Sequence, residues 1–169
     1  DADVSGTSVS GVDALILQNI GGVTQFSGNI NVTSITAGST VHYISMRGAS
    51  NSVTEPFVPA NASHLVLGAP GGTWTFNGGI NTSGIAWNTI ISGTILTSDD
   101  PMTLKNVNLQ SHSVLDTGSL TGAGDITFVS GLIGNGYNMT INTGAFAGSD
   151  VTGGALADMG TLTLSDING

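Results

Sequence analysis

Three histidines are the side chains of this sequence best suited to bind a metal ion. They are His42, His64 and His112. A zinc-type site needs at least two such imidazoles on one face, at a suitable spacing. His64 and His112 are 48 residues apart, so they could align only if the chain repeats at about that interval. The alternative is that the histidines are strand residues that face solvent or accept hydrogen bonds, and the sequence favours this alternative.

An aspartate pair is the second candidate for chemistry. Asp99 and Asp100 directly precede Pro101 in the segment TSDDPMT. Paired carboxylates can bind Ca²⁺ or act as general acid and base. The same pattern is typical of an Asx turn that leads into a proline corner, and the sequence favours this structural role. No supported Ser/His/Asp motif or phosphate-binding loop accompanies the pair. We therefore predict no enzyme activity, no metal and no cofactor.

The composition limits the partners of the chain. Of its 169 residues, 39% are hydrophobic and only 8% are charged, and the net charge is −9. Arg47 and Lys105 are the only basic residues, so no basic patch for nucleic acid can form. No run of about 18 apolar residues is available to insert into a membrane. The length suits a single domain over residues 1–169.

The sequence also carries indications of an extracellular location. It contains no cysteine, so a disulfide scaffold is excluded and packing must supply the stability. It begins with Asp1 rather than methionine, as a mature chain does after removal of a signal peptide. A boundary chosen for expression would explain the same start. Acidity, scarce lysine and abundant Ser, Thr and Asn fit a secreted, cell-surface protein.

The elements that must position these residues are short strands. Helix-forming residues on a 3.6-residue period are sparse, whereas β-branched runs alternate apolar and polar residues between 26 glycines. The segment Ser52–Ser63, with two prolines and the only glutamate, is predicted to be a protruding loop. The predicted strands cover Ala14–Ile20, Ile30–Thr36, Thr40–Met46, His64–Leu67, Trp74–Phe76, Thr89–Leu96, Thr103–Leu109, Asp125–Val129, Met139–Ile141 and Thr161–Leu164.

An internal repeat selects the architecture. The stretch GGVTQFSGNIN at Gly21–Asn31 returns as GGTWTFNGGIN at Gly71–Asn81, and a looser copy places Phe128 52 residues after Phe76. A sandwich of unrelated strands gives no reason for such a period of about 50 residues, whereas a stack of coils does. We predict an all-β fold, a β-solenoid (parallel β-helix-like) or stacked β-arch repeat, in which one period covers two coils of about 20–27 residues.

The approximate repeats are residues 12–61, 62–111 and 112–169. Their alignment predicts a structural core, in which the phenylalanines stack. The predicted core residues are Leu15, Leu17, Phe26, Ile30, Leu65, Leu67, Phe76, Ile80, Phe128 and Ile133.

Four sequons begin at Asn31, Asn61, Asn81 and Asn138. They permit N-glycosylation in a secreted protein, although chance matches are expected in a chain rich in Asn, Ser and Thr. Asn31 and Asn81 occupy the same position of the repeat. They could therefore form an asparagine ladder inside the coil instead.

The C-terminal segment Gly122–Gly169 resembles a known family of repeats. Its strand GDITF, its turn IGNGYN and its strands TIN and TLTL are similar to the repeats of filamentous-haemagglutinin and autotransporter-type adhesins. The resemblance implies a secreted parallel β-solenoid at a microbial surface and transfers no catalytic residue. The architecture also resembles that of β-helix enzymes that act on polyuronides, but this chain has too few basic residues and only dispersed acids for such a groove.

Two non-enzymatic functions remain. One is a subunit that self-assembles by β-strand addition into a homopolymer, as a cell-surface filament, sheath or surface layer. The other is a surface adhesin that binds a glycan or a host protein. The low charge, and edges without protective lysines and prolines, favour self-assembly.

Overall fold

The computed structural model describes residues 2–118, 121–122 and 124–167, and Asp1, the predicted mature terminus, lies outside them. The described residues form strands and no helix, and none of their segments could span a membrane as a helix. The strands are β1 (Val4–Gly6), β2 (Ala14–Leu17), β3 (Val23–Phe26), β4 (Asn31–Val32), β5 (Ser34–Ala37), β6 (Tyr43–Met46), β7 (Ser50–Val53), β8 (Leu65–Leu67), β9 (Thr73–Phe76), β10 (Ile80–Asn81), β11 (Thr89–Thr97), β12 (Met102–Asp116), β13 (Ile126–Ile133), β14 (Met139–Asn142), β15 (Val151–Gly153), β16 (Leu156–Ala157) and β17 (Leu162–Ser165).

Every paired strand runs parallel to its neighbours, and the pairs arrange in three columns. Column 1 stacks β1, β3, β6, β8, the start of β11, the middle of β12, the end of β13 and β16. Column 2 stacks β4, β7, β9, the end of β11, the end of β12, β14 and β17. Column 3 contains β2, β5, β10, the start of β12, the start of β13 and β15. The chain visits the columns in turn and thus winds as a β-solenoid.

The coil is shorter than the sequence repeat. In column 1, Thr24 pairs with Ile44 and Ile44 pairs with Leu65, which are steps of 20 and 21 residues. The whole solenoid has about seven turns with a spacing of about 22 residues. The predicted fold and the predicted coil size of 20–27 residues are therefore confirmed.

The repeat of about 50 residues has a different geometric meaning from the one predicted. Two turns of about 22 residues account for about 44 residues, and the remainder is close to one third of a turn. Phe26 accordingly lies in column 1, Phe76 in column 2 and Phe128 in column 3. The repeat relates strands on successive columns, so the expected stacking of these three rings on one another is wrong.

Alternation along each strand separates the core from the surface. In β9 the side chains of Trp74 and Phe76 are fully buried, whereas Thr73 and Thr75 are only partly so. Because paired strands are in register, each inward side chain packs on the equivalent one of the next coil. The result is a single apolar core that runs along the axis of the solenoid.

Glycines form corners where successive coils approach closely. A Cβ atom on Gly48 would lie 2.6 Å from the carbonyl oxygen of Gly28, and one on Gly28 would lie 2.1 Å from the carbonyl oxygen of Thr7. Gly93, at the bulge between columns 1 and 2 in β11, has a φ of 77°. Such close contacts and positive φ angles explain the glycine-rich composition.

The segment Ser52–Ser63 is not the protruding loop that its prolines predicted. Val53 and Phe57 are fully buried, and Phe57 forms a parallel bridge with Ile80 in column 3. The carbonyl oxygen of Ala37 accepts a hydrogen bond from the backbone N–H of Ala60 at 2.9 Å. The segment is thus an ordinary part of a coil.

Candidate functional site

The predicted core residues lie inside the solenoid, with two exceptions. Leu15 is half-buried because β2 belongs to the first coil and has a neighbour on one side only. Ile133 was predicted to be buried, but it is 43% exposed and points outward beside the inward Leu132. The alternation of β13 sets this direction. The other eight predicted core residues, Leu17, Phe26, Ile30, Leu65, Leu67, Phe76, Ile80 and Phe128, are buried.

Asn51 is a buried asparagine inside the coil that could not be singled out from the sequence pattern of sequons and repeats. Its Oδ1 accepts a hydrogen bond from the backbone N–H of Ile30 at 2.9 Å. Its Nδ2 donates to the carbonyl oxygens of Gly48 at 2.8 Å and Thr73 at 3.2 Å. This buried side chain therefore links three successive coils. Strand alternation, which puts Asn51 on the same side as Val53, was the available signal.

The four sequon asparagines occupy unlike environments. Asn31 is exposed in column 2, where its Oδ1 accepts a hydrogen bond from Ser52 Oγ. Asn81 is half-buried in column 3, so the two do not form the asparagine ladder that was considered. Asn138 is exposed. Asn61 is fully buried, and its Nδ2 donates to the carbonyl oxygens of His42 and His64. The folded coil has no room for a glycan on Asn61.

The histidines do not come together. His42 is exposed. His112 lies before column 2, where its Nδ1 accepts a hydrogen bond from the backbone N–H of Asn138 at 2.9 Å. His64 lies before column 1, next to Tyr43 of the coil before. Among the described residues, no group of three or more His, Cys, Asp or Glu could hold a metal ion.

The aspartate pair forms a turn. Asp99 adopts a φ of 63° and its Oδ2 accepts a hydrogen bond from Thr121 Oγ1 at 2.7 Å. The carbonyl oxygen of Asp100 accepts a hydrogen bond from Thr97 Oγ1. The Thr121–Asp99 contact connects neighbouring coils, and the Thr97–Asp100 contact closes the turn within one coil, so both aspartates have a structural role in the corner.

The last coil leaves inward-facing apolar residues uncovered. Leu156 pairs in register with Leu132 of column 1, yet Leu156 is 41% exposed and Leu132 is 2% exposed. Leu164 pairs with Ile141 of column 2, and the exposures are 55% and 0%. In both columns the inward side chain is buried where a further coil packs on it, and it is exposed to solvent in the last coil.

The first coil shows the same feature. Val4 of β1 pairs with the buried Thr24 and is 38% exposed. Val9 is half-buried, whereas Ile30, with which it forms a bridge, is fully buried. We call the uncovered first and last coils the end coils.

A row of aromatic side chains follows the outer side of column 1. The ring of His64 contacts Tyr43 at a centroid distance of 6.0 Å and Trp87 at 5.3 Å, both edge to face. Trp87 is 59% exposed. The three rings come from three successive coils, because Tyr43, His64 and Asn88 are consecutive register positions. We call this the ring row.

A groove of about 450 Å³ continues from the ring row toward the last coil. Asn88, Asn106, Asn108 and Ile133 line it, together with small residues. The depression forms because the outward positions after Asn106 are Gly131 and Ala155, which lack bulky side chains. We call it the amide groove.

Comparisons with known proteins leave the function to be argued from this geometry alone. No family model, no curated protein and no solved structure matches the chain.

Proposed function

We propose that this chain is a non-enzymatic extracellular structural protein whose copies add end to end into a cell-surface filament, sheath or surface layer. The observation that supports the proposal is the state of the end coils. Leu156 and Leu164 occupy positions that are buried in the coils between the two end coils, and Val4 occupies such a position in the first coil. Apolar surface of this kind gains free energy when another coil covers it.

The backbone of the end coils supports the same contact. Among the described residues, no strand pairs with the outer edge of β16, of β17 or of β1, so backbone N–H and C=O groups there are directed away from the stack. Such edges are templates for a further strand. Placing β1 of one copy on β16 of another keeps every strand parallel and continues column 1.

The symmetry of this contact predicts an open assembly. The surface at the last coil differs from the surface at the first coil, so the contact is heterologous and repeats from copy to copy. The product is a fibre or a hoop rather than a closed dimer.

Electron microscopy of variants tests the proposal. We expect filaments or sheets of the 169-residue chain in negative stain, and we expect Leu156→Lys to abolish them because the ammonium would face the core of the junction. The matched control is Ile133→Lys, since Ile133 is 43% exposed but points outward. Filaments should persist in the control.

Two results would contradict assembly. One is a chain that stays monomeric by light scattering at high micromolar concentration. The other is equal filament formation by Leu156→Lys and Ile133→Lys, which would show that the end coils take no part.

A surface adhesin is the second candidate function, and the exposed ring row is the observation that favours it. This function predicts a monodisperse monomer that binds a glycan or a host protein. The micrograph therefore separates the two candidates.

A further inference from the structure

The ring row and the amide groove form one continuous strip along the outer side of column 1. From Tyr43, the register positions run through His64, Asn88 and Asn106 to Gly131 and Ala155. These are five steps between adjacent strands, or about 24 Å at the usual strand spacing. The strip is therefore long and narrow, which suits a linear polymer better than a compact ligand.

The aromatic part of the strip offers an apolar surface with polar edges. Trp87 is the most exposed large hydrophobic side chain of the described residues, at 59%. Trp and Tyr combine an apolar ring with a hydrogen-bonding tip, which is why they are common where a ligand is apolar on one side and wet on the other. A pyranose ring has this character, since its C–H groups form an apolar face and its hydroxyls lie at the rim.

The amide part of the strip offers hydrogen-bonding groups that the fold does not use. The side chains of Asn88 and Asn108 make no hydrogen bond within the described part of the chain, and both are only partly buried. Asn106, in contrast, donates from Nδ2 to the carbonyl oxygen of Trp87 at 3.1 Å, and so fixes the corner that carries the ring. Each free amide has two donors and an acceptor for sugar hydroxyls.

The absence of charged side chains from the lining of the amide groove indicates the class of polymer. The amide groove has no acidic or basic residue in its lining, although the chain as a whole carries a net charge of −9. An anionic polymer would be repelled by the chain and would find no cation in the groove. A basic partner would find no carboxylate there. A neutral ligand remains.

We propose that this strip binds a neutral linear glycan, with Trp87 stacking on a sugar ring and Asn88 and Asn108 hydrogen-bonding to hydroxyls of neighbouring sugars. The site gives the adhesin candidate a ligand class. It is distinct from the end-to-end contact because the strip follows the outer side of the solenoid, and only its far end, at Ala155, belongs to an end coil. Neutral polysaccharide would therefore bind to a single copy and along an assembled filament alike.

Fluorescence anisotropy with labelled hexasaccharides tests the site in monomers and filaments alike. The probes are fluorescein-labelled hexamers of β-1,4-glucose, β-1,3-glucose, α-1,4-glucose and β-1,4-N-acetylglucosamine, with hexagalacturonic acid as the anionic comparison. We expect at least one neutral hexamer to bind and the anionic one to bind more weakly or not at all. Trp87→Ala should raise the dissociation constant of the hexamer that binds by about tenfold or more, as truncation of a stacked aromatic anchor does.

Two further variants keep the experiment decisive. Asn108→Leu removes a free amide and should also weaken binding several-fold. Val58→Ala is the matched control, because Val58 is 58% exposed but lies outside the strip. It should bind as the unchanged chain does, and circular dichroism should confirm that all three variants fold.

Three results of the binding assay would overturn the proposal. They are no binding of any neutral hexamer, equal binding by Trp87→Ala and Val58→Ala, or tighter binding of hexagalacturonic acid than of the neutral hexamers. Lateral association of copies that Trp87→Ala abolishes, without glycan binding, would likewise overturn it and assign the strip to a contact between solenoids. Loss of filaments in Leu156→Lys bears on assembly only, so the two proposals fail separately.

Discussion

Truncation of Phe76 is the most direct test of the core packing described above. This ring is fully buried in column 2. It stacks on Phe57 of column 3 at a centroid distance of 5.5 Å and on Trp74 of its own strand at 5.3 Å, with interplanar angles of 6° and 12°. Phe76→Ala would therefore leave a cavity between two aromatic side chains in the middle of the solenoid.

The expected cost follows from the cavity and from the lost ring contacts. Truncation of a buried phenylalanine to alanine costs about 3–5 kcal/mol. Stacked aromatic pairs contribute about 0.5–1.5 kcal/mol each beyond the area they bury. Because Phe76 makes two such contacts, we expect a loss near the upper end, about 5 kcal/mol. A chain of this size should unfold in guanidinium with a slope of about 5 kcal/mol per molar, so the midpoint should fall by about 1 M.

Guanidinium unfolding should be followed by both far-ultraviolet circular dichroism and tryptophan fluorescence, since coincident curves justify a two-state analysis. Two further variants calibrate the result. Phe26 is 6% exposed and contacts no aromatic ring among the described residues, so Phe26→Ala should cost about 3 kcal/mol. Phe146 is partly exposed, so Phe146→Ala should cost about 1 kcal/mol or less. A Phe76→Ala midpoint equal to that of Phe146→Ala would refute the packing of column 2.

Three other perturbations test particular contacts. Asn51→Ala leaves the backbone N–H of Ile30 and two carbonyl oxygens without their partner, and should lower the free energy of unfolding by about 2–4 kcal/mol, measured by the same denaturation. Gly48→Ala should destabilise the chain or prevent folding, because the added Cβ would clash with the neighbouring coil. Gly38→Ala is the control: its Cβ would meet nothing within 4 Å, so it should be neutral or stabilise the chain by about 0.5 kcal/mol. Equal melting temperatures of the two variants would contradict the close approach of the coils at Gly48. If the chain is expressed in a glycosylating host, mass spectrometry of glycopeptides should find Asn61 unmodified in folded protein, while the exposed Asn31 remains available; a glycan on Asn61 would be evidence against its burial.

The strands could be predicted from the sequence because their signal is local. Alternation in Trp74–Phe76 and Met139–Ile141 identifies which side chains face inward, and the structure confirms both strands. The same alternation, continued through Ser50–Val53, places Asn51 on the buried side with Val53. Because Asn51 is polar, a search for buried hydrophobic residues does not find it. The prolines of Ser52–Ser63 predicted a protruding loop, and this prediction was wrong because the buried Phe57 between them holds the segment against the core.

The ring row and the amide groove could not be predicted in this way. Tyr43, His64 and Trp87 meet through the register between coils of unequal length, since the steps in column 1 range from 18 to 25 residues. The sequence spacings of 48 and 50 residues instead align His64 with His112 and Phe26 with Phe76. The exposure of Leu156 and Leu164 could not be predicted from alternation either, because these side chains point inward as the buried leucines do.

The sequence by itself determined the fold class, the coil size and most of the core. These follow from alternation, glycine corners and an internal repeat, all of which act over a few residues or recur at fixed intervals. Only the tertiary structure decided that the repeat of about 50 residues joins different columns, because that depends on how many residues each coil uses to close its turn. It also decided which side chains become neighbours across coils, since the number of residues in each corner decides which positions of the chain lie opposite each other in successive coils.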